Sequence, residues 1–146
     1  MKHATMILPV VLTLMGCASS GLQSTEERLT LYRAHSTPVE SFRTNKLQGP
    51  LRRWSPLGDQ ALLVWDASDE PYLLELPQEC SWLATARSIG LTNSTGTVTA
   101  GTDSVQLMGV SRAGGATSCK IGTARRVDMA AVDKAREGMR AGSSTQ

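Results

Sequence analysis

About ten apolar residues near the start of the chain, Met6 to Met15, limit what the rest of it can become; only Pro9 and Thr13 interrupt them. Lys2 and His3 precede this run as a short basic start, and the small residue Gly16 follows it. A basic start, an apolar core of about 7–15 residues and small residues at the end make a secretory signal. The run is well short of the ~20 residues that a membrane-spanning helix needs. Residues 1–16 are therefore expected to be removed on export, and the fold must be built outside the cytoplasm from Cys17 onward.

The apolar core closes in Leu14-Met15-Gly16-Cys17. This resembles the lipobox of bacterial lipoproteins, in which a Leu stands three residues before the Cys and a Gly or Ala just before it. Met15 is a less usual residue at its position. The resemblance implies cleavage between Gly16 and Cys17, a thioether-linked diacylglycerol on the Cys17 sulfur and often fatty acylation of the new amino group. Two or three acyl chains hold a protein on a bilayer without a spanning helix, at about 0.8 kcal/mol per buried methylene. Ala18 follows the cysteine. The absence of Asp there resembles lipoproteins released to the outer membrane, which places the expected protein on its periplasmic face.

The mature chain is long enough for one domain with its own core. Of 15 basic and 13 acidic residues, Lys2 leaves with the signal, so the mature chain is nearer neutrality than the precursor. No run of like charges occurs, which argues against a nucleic-acid partner. Arg52-Arg53 and Arg125-Arg126 are isolated pairs that a solvated strand edge explains.

With Cys17 taken by lipid, Cys80 and Cys119 are left. Two thiols in an oxidising compartment most often pair with each other. Two buried free thiols or a metal pair are the alternatives. A metal would need more ligands than two distant cysteines and the single mature histidine, His35, readily supply.

Along the chain, residues 17–23 read as a lipidated tether of small and polar residues. Ser24-Thr25-Glu26-Glu27 fits a capping box, opening a helix to about Ala34 with Leu29 and Tyr32 on one face. Thr37 before Pro38 ends it. Val39 to Leu47 alternates around Phe42, and Ser55-Pro56-Leu57-Gly58-Asp59 signals a turn. Ala61 to Trp65 is a continuous apolar run expected in a strand buried on both faces. Tyr72, Leu74 and Leu76 should share the inner face of a half-buried strand, joined to it as a hairpin.

Trp82 to Ala86 reads as one or two helical turns, stopped at Gly90. Thr92 to Thr102 suggests an exposed strand around Val98, and Val105 with Leu107 another strand. Ser111 to Ser118 is a loop or hairpin tip. Lys120 to Val127 alternates with Ile121, Thr123 and Val127 on one face. Asp128 caps a final helix, Met129 to about Arg140, whose Met129, Val132 and Met139 share a side. Residues 141–146 read as a flexible tail. The expected fold is α+β: a single domain over residues 24–140, with a small antiparallel sheet, an N-terminal helix, a short central helix and a C-terminal helix. Connections of hairpin length leave little room for βαβ crossovers. The central and C-terminal helices then pack on one face and leave the other face, or an edge, to a partner.

Several pieces are similar to a family of small proteobacterial lipoproteins that carry a domain of unknown function. They are Leu31-Tyr32-Arg33-Ala34-His35, Ser41-Phe42-Arg43, Trp54 to Asp59, Ala61, Leu63-Val64-Trp65 and Tyr72 to Leu76. Cys80, Ile89 to Thr92, Cys119-Lys120-Ile121 and Val127-Asp128 continue the likeness. The resemblance implies a single compact domain and pairing of Cys80 with Cys119, and implies no activity. Arg126 stands where a proline is usual in that pattern, which bears on a local turn only.

Residues suited to chemistry are sparse. His35 has no Ser, Cys or Lys beside it in a recognisable nucleophile motif and reads as a surface histidine. Asp66, Asp69 and Glu70 cluster in one turn but lack the ligand spacing of a calcium loop, so turn chemistry explains them. Asn93-Ser94-Thr95 is a chance glycosylation match in a bacterial chain. Trp54, Trp65 and Trp82 read as core anchors, with Trp65 the safest, rather than as the lining of a ligand groove. No catalytic residue and no metal ligand is singled out, and no cofactor is expected beyond the covalent lipid on Cys17. A membrane-anchored binding or assembly module with an envelope protein partner is favoured over an envelope enzyme with an unrecognised carboxylate or Ser/Thr site.

Overall fold

The computed structural model describes residues 23–44, 51–93, 95–109 and 118–144. Gly16, Cys17 and the tether up to residue 22 lie outside them, as do the expected loop around Gly114-Gly115 and residues 145–146.

The capping box forms at the first helix. The Glu27 N–H donates to Ser24 Oγ at 3.2 Å, and the Ser24 N–H donates to Glu27 Oε2 at 2.9 Å. Two of the donors that a helix start leaves unpaired are thereby satisfied. Helix α1 (Thr25–Ala34) follows and buries Leu29 and Tyr32. At the other end of the chain the Ala131 N–H donates to Asp128 Oδ1 at 3.0 Å, starting α2 (Met129–Ser143). That helix runs past Arg140 into the expected tail. Val132 is fully buried and Met129 packs beside it, but Met139 is exposed, so the expected three-residue apolar side is incomplete.

Among the described residues ten strands lie between the helices: β1 (Ser36–Val39), β2 (Ser41–Arg43), β3 (Trp54–Pro56), β4 (Ala61–Trp65), β5 (Pro71–Glu75), β6 (Ser88–Leu91), β7 (Thr97–Thr99), β8 (Ser104–Met108), β9 (Ser118–Lys120) and β10 (Thr123–Val127). Their pairings are antiparallel. They make a five-stranded sheet in the order β1-β10-β5-β4-β3, a two-stranded ribbon β2-β7 and a three-stranded sheet β6-β8-β9. The architecture is thus mostly antiparallel sheet with one helix near each end of the described chain.

The expected short central helix does not form. Leu83–Thr85 makes one 3₁₀ turn, and Ser88 already opens β6. The segment is too short to repay helix nucleation, and Trp82 enters it in a left-handed conformation, φ +75°. Pairing of Ser88–Leu91 with Val105–Met108 takes the remaining residues.

Two other expected strands break where the chain turns from one sheet into another. The segment around Phe42 divides at Glu40 into β1 and β2. Lys120 to Val127 divides at Ile121-Gly122 into β9 and β10, so Ile121 faces one core and Val127 the other. Such corners are how strands pass between packed sheets. Helix α1 ends at Ala34 as expected, and Pro38 beyond it lies in β1 at the sheet's edge, where a missing N–H costs no ladder bond.

Both faces of the five-stranded sheet are covered. On one, Leu62, Val64, Leu74 and Ala124 pack against Phe42, Ile89, Val98 and Val105 of the other strands and Ile121 at the β9–β10 corner. On the other, Ala61, Leu63, Leu73 and Val127 pack against Leu29 and Tyr32 of α1 and Val132 of α2. Strand β4 is buried on both faces, as its unbroken apolar run requires. Strand β5 is too, since Leu73 is as fully buried as Leu74, and the expectation of a half-buried strand fails there. Neither face of this sheet is left open to a partner.

Candidate functional site

The hairpin of β4 and β5 closes at Asp66–Glu70, where the acidic residues meet. Asp66 Oδ1 accepts from the N–H groups of Ser68 (2.8 Å) and Glu70 (2.9 Å), an Asx turn that holds the loop. Asp69 takes a left-handed conformation, φ +63°, which Asp tolerates better than most residues. The other two carboxylates point to separate arginines. Asp69 Oδ1 lies 2.7 Å from an Arg53 terminal nitrogen, and Glu70 Oε2 lies 2.7 Å from Arg126 Nε. The three acids therefore diverge. Among the described residues no group of three or more His, Cys, Asp or Glu side chains could hold a metal ion.

Beside this turn, register places Trp54, Val64, Tyr72, Arg126 and Thr37 in one cross-strand row on the same sheet face. The Tyr72 ring stacks on Phe42, with centroids 4.4 Å apart. Burial pushes the Tyr72 phenol above its ordinary range, and the nearby Asp66 carboxylate adds to this. The hydrogen bond and charge of Glu70 hold the Arg126 guanidinium still more firmly protonated. On the turn's other side Arg53 lies over the Trp65 ring, 4.3 Å from its centre. The result is an aromatic and charged end to the domain: a neutral phenol, two tethered guanidiniums and two half-buried indoles. These groups can donate hydrogen bonds and stack. A phenol pushed away from ionisation stays neutral and can donate its hydrogen to an acceptor.

The other candidates serve the fold. His35 caps the C-terminus of α1, its N–H donating to the Leu31 carbonyl and its own carbonyl accepting from Asp128. Asp103 Oδ2 accepts the Thr99 N–H at 2.7 Å and ties the β7–β8 turn. Arg125 reaches Ser36, with Nε 2.8 Å from Oγ, so the Arg125-Arg126 pair divides between two faces and two partners. Cys80 and Cys119 are joined by a disulfide, with Cα atoms 5.8 Å apart. It ties the segment after β5 to β9. Trp54 and Trp65 are half-buried at the margins of the two cores and Trp82 is exposed, so none of the three is the core anchor expected. Sequence reasoning misses the grouping of Tyr72, Phe42, Arg53 and Arg126. Its members come from four separate strands or their flanks, and only the acidic turn between β4 and β5 marks the place.

Comparison with known proteins adds a family. A sequence pattern described as a family of unknown function, DUF6491, matches residues 1–143. The chain belongs to the DUF6491 family. The DUF6491 match spans the N-terminal apolar segment as well as nearly all of the described domain. No curated protein and no solved structure matches the chain.

Proposed function

We propose that this DUF6491 protein is an envelope lipoprotein, held by lipid on Cys17 at the periplasmic face of the outer membrane. Its domain acts as a binding or assembly module for an envelope protein partner. The observation that carries the reading is Leu14-Met15-Gly16-Cys17 at the end of a short apolar core, followed within seven residues by the Ser24 cap of the first helix. Anchor and domain are nearly contiguous, so the domain works close to a membrane. The engagement of Asp66, Asp69 and Glu70 in turn bonds and ion pairs supports a module over an enzyme, because it leaves those acids committed to structure. The end bearing Tyr72, Arg53 and Arg126 is the contact surface this reading favours.

Two measurements test it. Mass spectrometry of the membrane-extracted protein should find Cys17 as the lipidated first residue, and Cys17→Ser should accumulate as uncleaved precursor. A mature N-terminus elsewhere without lipid contradicts the anchor. For the module, a strain with a measurable deletion phenotype should lose function with Arg53→Glu and Arg126→Glu combined. It should keep function with alanine at His35, Asp66, Asp69, Glu70 or Asp103 taken singly. If one of those alanine variants is folded, anchored and inactive, the enzyme reading replaces the module.

A further inference from the structure

Strand β2 keeps one edge of its backbone unpaired beside the aromatic end. In the ribbon, the Ala100 N–H donates to the Glu40 carbonyl at 2.9 Å and the Thr44 N–H to the Gly96 carbonyl at 2.8 Å. Alternation along an antiparallel ladder therefore turns the backbone of Phe42 toward β7, and the N–H and carbonyl groups of Ser41 and Arg43 away from it. Among the described residues neither Ser41 nor Arg43 takes a hydrogen bond on that side. Both are exposed, while Phe42 between them is buried with its ring stacked on Tyr72. Tyr72 in turn is the cross-strand neighbour of Arg126.

Most outer strands of this domain close such an edge, which otherwise invites pairing with another chain. Pro38 in β1 and Pro56 in β3 stand at outward positions and lack an N–H. In β1 the Arg125 guanidinium also occupies the Ser36 carbonyl, at 3.2 Å. Leu51 caps the Ile89 carbonyl of β6, and at the other edge of the ribbon Asp103 bonds Thr99 of β7 through both its carboxylate and its N–H. Strand β9 leaves Ser118 and Lys120 at its edge but contributes no residue to the Tyr72 end. The open edge of β2 carries Arg43, whose guanidinium forms no ion pair among the described residues. The nearest acid in sequence, Glu40, sits at the corner before the strand and does not pair with it.

Donors and acceptors that alternate along an extended backbone match the backbone of another strand. An unpaired guanidinium on the same strand favours a carboxylate opposite it. Pairing β2 with a second copy of itself about Phe42 would set Arg43 opposite Ser41, with no carboxylate for it. We infer that the partner of this domain lays an extended, acidic segment along β2 and adds a strand to the β2-β7 ribbon through Ser41 and Arg43. This deepens the reading of the Tyr72 end as a contact surface and rests on it. The main-chain bonds hold the segment, and Arg43 selects for its charge.

The test uses the full lipidated protein. In a strain with a measurable deletion phenotype, Ser41→Pro, which removes an edge N–H, and Arg43→Glu should each lose function. Ser41→Ala and Arg43→Lys, which keep the backbone donor and the charge, should retain it. Circular dichroism and membrane fractionation check that each variant is folded and anchored. On the purified protein in detergent micelles, the probe is an acetylated and amidated peptide of alternating Glu and Val. It should slow hydrogen exchange of the Ser41 and Arg43 amides about tenfold, and Ser41→Pro should weaken its binding about tenfold. The same peptide with every amide N-methylated should not bind. No slowing by the unmethylated peptide, or equal slowing by both, overturns the docked strand. Loss of function in Ser41→Ala as well as Ser41→Pro assigns the effect to the hydroxyl and overturns it too. If Arg53→Glu with Arg126→Glu abolishes function while Ser41→Pro and Arg43→Glu keep it, the docked strand falls and the contact surface stands. If all of these variants keep function, both fall.

Discussion

Phe42 in the ribbon β2-β7 lies face to face with Tyr72 in the five-stranded sheet, their ring planes 16° apart. This pair helps to link two sheets that share no ladder, together with Val98 of the ribbon, which packs in the same core. Phe42 is 5 % exposed. Phe42→Ala should destabilise the fold by about 3–5 kcal/mol, through lost burial and the cavity left behind. Urea denaturation of the purified mature domain measures it. A loss below about 1 kcal/mol would mean that the two layers hold without this contact.

Tyr72 should make stability fall at alkaline pH. Burial and then Asp66 raise its pKa above the ordinary 10.0. Above about pH 10 the unfolded chain releases the phenol proton before the folded one does. The unfolded state then binds fewer protons, and stability drops as pH rises toward the folded-state pKa. Well below pH 10 both states keep the proton, and stability no longer varies with pH through this group. Denaturation curves from neutral to strongly alkaline pH, compared with Tyr72→Phe, should show a shallower alkaline decline in the variant. Parallel curves would assign the decline to other groups.

Gly122 stands at the corner between β9 and β10, where a side chain would be crowded. A Cβ there would meet Pro77 Cδ at 3.1 Å and the Glu75 carbonyl oxygen at 3.3 Å, while the Gly122 N–H donates to that same oxygen at 2.9 Å. Gly122→Ala should therefore cost about 1–3 kcal/mol, the range for forced overpacking. Gly138 has open space around its Cβ position and sits in α2. Gly138→Ala should stabilise by up to about 1 kcal/mol. Thermal melts of the two variants should move in opposite directions.

The Cys80–Cys119 bond closes a loop with a sequence separation of 39. Replacing both residues with Ala should cost about 4 kcal/mol in the chain-entropy model. Thiol labelling of the unreduced, denatured mature protein should find neither cysteine reactive. Two reactive thiols would show that the bond does not form in the exported protein.

Features written within a few residues are legible in the sequence. Ser24 with Glu27, Asp128 with Ala131 and the Ala61–Glu75 hairpin each depend on neighbours in the chain, so type and spacing suffice. The unbroken apolar run of Ala61 to Trp65 likewise demands cover on two faces. What alternation along one segment cannot reveal is which surface each face meets. Leu73 reads as the outward residue of β5 until α1 and α2 cover it, and Ile121 and Val127 read as neighbours on one face until the corner at Gly122 sends them into different cores. Trp82 to Ser88 has the composition of a short helix, but local propensity yields to strand pairing with residues some twenty positions away. The row of Tyr72, Arg126 and Trp54, with Phe42 stacked upon it, exists only after antiparallel register has brought distant strands together. Short-range chemistry therefore determined the caps, the turns and the expected export signal. Tertiary structure alone decided the sheet corners, the two-sided burial of β5 and the aromatic end, because each is set by long-range pairing that no local pattern encodes.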